Sequence, residues 1–160
     1  MLPNGVNKRI CEKLGLDGAK VLVPKTSPKS GVIAGSGMVG ALTKPMTEAT
    51  FLNKVKKVMK ARSVRYTKLS GKKVSKVAVC GGSGSFLLEA AIASGADVFL
   101  TSDFKYHQFF DADNKVVIVD IGHYESEQYT PELIRDLLKQ KFGIFATHLS
   151  KVNTNPVNYL

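Results

Sequence analysis

The 160-residue sequence predicts an α/β fold with a mostly parallel sheet and helices on both faces, layered α/β/α. Three observations lead there. Short, almost wholly apolar runs (Val77-Ala-Val-Cys80, Asp97-Val-Phe-Leu100, Val116-Val-Ile-Val-Asp-Ile121) alternate with segments of helical periodicity, as in strands covered on both sides. Glycine-bearing turns separate the two kinds of segment. The composition, 44% hydrophobic and 22% charged, is that of a globular chain and excludes a disordered one.

The elements follow in order. Val6 to Leu16 reads as a short helix with Ile10, Cys11 and Leu14 on one side, capped by Asn4 or Asn7 and ended by Gly15 or Gly18. Lys20-Val-Leu-Val23 reads as a strand, and residues 24–31 (PKTSPKSG) as a linker too rich in proline and serine for regular structure. Gly35-Ser-Gly37-Met-Val-Gly40 spells a dinucleotide fingerprint, but Pro45 follows where the fingerprint needs a helix, so the segment reads as a tight glycine turn. Thr47 caps a helix reaching about Ala61, with Phe51, Leu52, Val55, Val58 and Met59 as its apolar stripe. A basic connection over residues 71–76 leads into the first of the three apolar strands.

After Val77–Cys80 come a loop (Gly81, Gly82, Ser83, Gly84) and a helix from Phe86 to Ala93, closed by Gly95. A second strand, Asp97–Leu100, precedes a short helical segment near Tyr106 to Asp111, and Val116–Ile121 is the third strand. Thr130 as N-cap, Pro131 at the first position and Glu132 in the first turn open a helix that runs to Phe142 and stops at Gly143. Residues 144–149 read as a final strand containing His148.

The net charge of +10 is concentrated: ten of the 23 basic residues lie between Lys54 and Lys76. Such a block suits phosphates, yet Lys54, Lys56, Lys57 and Lys60 alternate with apolar residues as on a solvated helix face, which is the preferred reading over nucleic-acid binding. Cys11 and Cys80 have no CxxC partner and read as reduced, buried thiols of a cytosolic protein. Neither a signal peptide nor a membrane-spanning run is recognised, so a cytoplasmic location without membrane contact is expected.

In a parallel sheet, ligands gather at the carboxyl ends of the strands. That puts Gly81–Gly84, Thr101–His107 and Gly122–Glu127 on one rim. Gly81, Gly82, Ser83 and Gly84 join a strand to a helix, the context of an anion cradle or of a plain turn. His123 and Glu127 are four residues apart, so one helical turn places an imidazole and a carboxylate on one face, a pair suited to zinc, iron or manganese. Asp103 and His107 repeat that spacing with Lys105 between them, as groups behind a ligand, as substrate contacts, or as a helix cap and solvated turn.

With GGSGSFLLEAAIASGADVFLTSD, KYHQFFDA and GHYESEQ taken together, and GVNKRICEKLGL, GSGMVG and THLSKVNTNPVNYL beside them, the chain resembles the Nif-three-like family over nearly its whole length. These dinuclear-metal-centre proteins are also known as type-two GTP cyclohydrolase I homologues. The resemblance implies that His123 and Glu127 supply ligands to a site of two divalent metals, with Asp103, Lys105 and His107 in the same cavity. It implies a homo-oligomer, a hexameric ring in relatives, and a nucleotide substrate: metal-dependent hydrolysis opening the purine imidazole ring of GTP. The family's paired histidines and a further aspartate ligand lie upstream of the GVN segment. Residues 1–160 are therefore expected to form one unit truncated at its amino terminus, with residues 24–31 standing where relatives carry an inserted domain. The alternatives are a non-catalytic scaffold, a nucleic-acid- or protein-binding member, or an inactive fragment.

Overall fold

The computed structural model describes residues 5–26, 33–144 and 146–160. Helix α1 (Val6–Leu14) begins at Gly5, which makes no side-chain cap, and ends where Gly15 turns left-handed at φ 65°. The expected cap Asn4 lies outside the described residues, and Asn7 instead accepts a hydrogen bond from the Gly81 amide at 2.8 Å. Strands β1 (Leu16–Thr26) and β2 (Ile33–Thr47) form a long antiparallel hairpin. Pro24 to Thr26 of the expected linker thus belong to β1, and the linker's remaining residues lie outside the described ones.

The glycine segment is not a turn. Gly35, Gly37 and Gly40 run within β2, where the sheet is crowded: a Cβ on Gly35 would stand 2.2 Å from the Val23 carbonyl oxygen. Glycine is normally depleted in strands, and here it marks close backbone approach.

Thr47 caps helix α2 (Glu48–Val58), its hydroxyl accepting from the Thr50 amide at 3.2 Å. Phe51 and Val55 are wholly buried while Lys56, Lys57 and Lys60 face solvent, the arrangement the spacing predicts. Lys54 donates to the Leu14 carbonyl at 2.6 Å, tying α2 to an open carbonyl at the end of α1.

Next come β3 (Arg65–Tyr66), β4 (Lys73–Ser83), β5 (Val98–Ser102) and β6 (Val117–Asp120). The six strands lie in the order β1-β2-β4-β5-β6-β3. The expected parallel arrangement is found in the centre, where β4 pairs parallel with β5 and β5 with β6. The β1–β2, β2–β4 and β3–β6 pairings at the edges are antiparallel, so the sheet is mixed.

Both faces are covered, as expected. On one, α1 and α2 pack Cys11, Leu14, Phe51 and Val55 against Val77, Val79 and Leu100. On the other, Leu87, Leu88 and Ala91 lie with Cys80, Phe99, Phe104 and Ile118. The phenylalanines at 51 and 99 are fully buried, each removing apolar surface worth roughly 1.5–3 kcal/mol. The second layer comprises a 3₁₀ turn (Ser85–Leu87) running into α3 (Leu88–Ala93), and a 3₁₀ segment (Tyr106–Ala112) after β5.

Beyond β6 stand α4 (His123–Glu127) and α5 (Thr130–Lys141). Pro131 sits at the start of α5 as predicted, but Tyr129 is the N-cap, and the Thr130 hydroxyl donates to the Glu127 carbonyl at 2.7 Å. The strand expected over residues 144–149 does not form. The described residues there are irregular, and Ile144 is 94% exposed, so its apolar character finds no sheet neighbour.

Candidate functional site

Because β4, β5 and β6 run parallel, their carboxyl ends share one edge, and the three sequence-predicted segments meet there. Ser83 closes β4, Asp103 follows β5, and His123 opens α4 three residues after the end of β6. The Ser83 hydroxyl donates to Asp103 Oδ2, which also lies 2.5 Å from His123 Nδ1. On the other side of the ring, His123 Nε2 stands 3.3 Å from Glu127 Oε2, one helical turn on.

Asp103 adopts a left-handed backbone (φ 61°), unusual for a residue with a side chain and a conformation that surrounding contacts must enforce. Gly82 is left-handed too (φ 69°), within the irregular end of β4, and a Cβ there would lie 2.8 Å from Glu127 Oε1 and 3.4 Å from His123 Cε1. The backbone at Gly82 thus forms the floor on which the His123–Glu127 pair rests.

The glycine segment does not form an open anion cradle. The Gly81 amide donates to Asn7 Oδ1 and the Gly82 amide to Ser126 Oγ, each at 2.8 Å. Ser126 in turn donates to the His123 carbonyl at 2.8 Å, locking α4 onto β4. Gly84 carries the chain from β4 into the 3₁₀ turn.

Electrostatics follow from these contacts. Burial works to raise the Asp103 carboxyl, but hydrogen bonds from Ser83 and His123, with the charges of His123 and Arg65, outweigh it and hold it below the ordinary carboxylate value. The hydrogen bond to Asp103 lifts the His123 imidazole above its ordinary value, against an opposing effect of burial. Asp103 on one side and Glu127 on the other orient the ring, so that Nε2 and the Glu127 carboxylate face each other beside the cavity.

A cavity of about 1000 Å³ opens beside them. Asp103, Asp120, Glu125, Glu127 and Glu132 line it, against Arg65 as the single lysine or arginine among the described lining residues. That balance gives a negative field, which favours cations. Residues from the irregular carboxyl-terminal segment complete the wall: Asn155 donates to Glu125 at 3.5 Å, and Tyr159 hydrogen-bonds the same carboxylate. Lys105 and His107 are exposed and lie outside this lining, as does His148.

The donor pair fits a divalent ion in part. Two ligands held at about 2.1 Å from one ion, at angles of about 90–110°, stand about 3.0–3.4 Å apart, which matches the 3.3 Å between His123 Nε2 and Glu127 Oε2. Among the described residues no group of three or more His, Cys, Asp and Glu is arranged to hold a metal.

Three contributors went unrecognised in the sequence. Ser126 and Arg65 carry no sequence signal, whereas Asp120 does, as a lone acid in the apolar run VVIVDI.

Comparison with known proteins gives the family. The chain is 38% identical over 133 residues to a GTP cyclohydrolase 1 type 2 homolog of Staphylococcus epidermidis, covering 78% of this chain and 35% of that protein. A Staphylococcus aureus protein of the same name is 34% identical over 137 residues, covering 82% and 37%. The chain therefore spans little more than a third of these relatives' length. The crystal structure of Staphylococcus aureus protein SA1388 superposes with a TM-score of 0.87 at 26% identity, covering 99% of this chain and 66% of that one. A Bacillus cereus protein related to NIF3 shares the fold, with a TM-score of 0.86 at 21% identity over 98% of this chain and 70% of its own. The Duf34/NIF3 (NGG1p interacting factor 3) family model matches residues 1–156, and the chain belongs to that family.

Proposed function

We propose that this chain is the divalent-metal-binding portion of a hydrolase acting on a nucleotide, with His123 and Glu127 as its metal ligands. The observation that carries the reading is the facing of His123 Nε2 and Glu127 Oε2 at 3.3 Å on the wall of a carboxylate-rich cavity. Asp103 supports it by accepting from His123 Nδ1 and so keeping the Nε2 lone pair directed outward. Relatives named for GTP cyclohydrolase favour a guanine nucleotide as substrate. A bound zinc, iron or manganese would supply a water acidified to a pKa of about 7 in the case of zinc. Two donors among the described residues leave coordination positions to water, to donors elsewhere in a longer protein or to donors from another chain, the last in keeping with a homo-oligomeric working state.

The test is metal content per chain, by elemental analysis of protein purified without added metal, beside His123→Ala and Glu127→Ala. Stoichiometric metal in the wild type, lost in both variants along with any GTP hydrolysis, is the expected result. Unchanged metal in both variants would sink the proposal.

A further inference from the structure

We infer that Asp120 is a positioning residue that sets Asp103 and His123 against each other. It closes β6 and is 2% exposed. Its Oδ2 accepts from the Phe104 amide at 2.9 Å and from Arg65 Nη2 at 2.5 Å, and its Oδ1 accepts from the Gly122 amide at 3.0 Å. Phe104 directly follows Asp103, and Gly122 directly precedes His123. One buried carboxylate thus grips the backbone on the near side of each member of the pair.

A carboxylate taken out of water is stabilised only when its lone pairs are met, and an apolar residue would fill the end of a buried strand at less cost. Stability alone therefore does not account for an acid at this place. Its geometry does. The left-handed Asp103 (φ 61°) is unfavourable unless held from both sides. Ser83 and His123 hold its side chain, and Asp120 fixes the peptide that follows. Arg65 closes the arrangement from β3, donating also to the Phe104 carbonyl at 3.1 Å. The two-residue strand β3 then has a purpose beyond its two sheet pairs: it delivers the counter-ion.

The inference deepens the metal-ligand reading above, and rests on it only for the consequence that ion affinity depends on Asp120. The test is the proton on His123 Nδ1, which a hydrogen bond to a carboxylate shifts far downfield in the nuclear magnetic resonance spectrum. It is assigned by its loss in His123→Gln, and zinc titration of the same metal-free samples runs alongside. Val98→Ala, buried at the opposite end of β5, is the control for general loosening.

The expected result is that Asp120→Asn abolishes the downfield proton and weakens zinc binding 10–100-fold or thereabouts, the range for groups that orient a ligand. Val98→Ala should lose stability and retain both signals. Retention of the proton in Asp120→Asn overturns the inference, as does its absence from the wild type or its loss in Val98→Ala as well. If the proton behaves as expected while wild-type protein takes up no zinc, the positioning role stands and the metal reading fails. Should Asp120→Asn not fold, amide hydrogen exchange on the wild type decides. Joint protection of the Phe104 and Gly122 amides upholds the bridge, and exchange of either at the rate of an open amide overturns it.

Discussion

Gly82→Ala separates what the backbone contributes at the site from what the side chains do. At φ 69° an alanine is strained by roughly 1–2 kcal/mol. The lower entropy of its unfolded chain returns roughly 0.4–1 kcal/mol, leaving a net loss of about 1 kcal/mol. Gly95 is the matching control: its φ is 70°, but the nearest atom to an added Cβ is Lys76 Nζ at 3.8 Å. At Gly82 the new methyl instead meets Glu127 Oε1 at 2.8 Å. A carboxylate end moves readily, so the clash is relieved by turning Glu127 away from His123 at little further cost in stability. In urea unfolding both variants should therefore lose about 1 kcal/mol, a midpoint shift of about 0.5 M for a slope of about 2 kcal/mol per molar. In zinc titration they should part, with Gly95→Ala binding like wild type and Gly82→Ala weakened at least about tenfold, or about 1.4 kcal/mol. Equal zinc affinity in the two variants would refute the argument that Gly82 forms the floor of the pair.

Glu48→Gln should destabilise the chain by about 1.5–3 kcal/mol in the same unfolding assay, because the buried Glu48 carboxylate accepts from the Ser70 amide, the Ser70 hydroxyl and the Gly71 amide. Burial tends to raise the Glu48 carboxyl, but those three bonds and the Lys72 charge outweigh it, so its folded value lies below its unfolded one. Its stabilisation is accordingly present above the ordinary carboxylate range and fades as pH falls through the folded value, a loss that Glu48→Gln should not show. Cys11 and Cys80, each at most 1% exposed and pushed by burial up to about 11, should resist alkylation at pH 8 in native protein and react fully in denaturant. Labelling of either thiol in the native state at the rate of a free cysteine would contradict their burial.

The centre of the sheet and the meeting of its three rim segments were legible in the sequence because apolar runs and strand-end placement follow from burial alone. Pairing geometry at the edges was not. Gly35, Gly37 and Gly40 speak locally for a turn, and only the crowding between β1 and β2 explains them as strand residues. Arg65–Tyr66 is too short for any periodicity to announce it. The apolar run over residues 144–149 shows the converse, since a strand-like pattern without a neighbouring strand to complete its hydrogen bonds stays irregular. At the site, spacing pointed to His123 and Glu127 and placed Asp103 nearby. Which nitrogen Asp103 would take, and that Lys105 and His107 would lie outside the cavity lining, depended on the turn after β5.

Ser83, Asp103 and His123 follow one another at intervals of 20 residues, and this regular interval has a kinetic consequence. The entropy lost in closing a loop grows as (3/2)RT ln n, so two closures of this length are among the least demanding long-range steps available to the chain. The Asn7–Gly81 contact that fastens α1 spans 74 residues and costs about 1 kcal/mol more on the same scale. The rim should therefore come together early, as a by-product of two successive strand–helix–strand units, with α1 docking afterwards onto a site already formed.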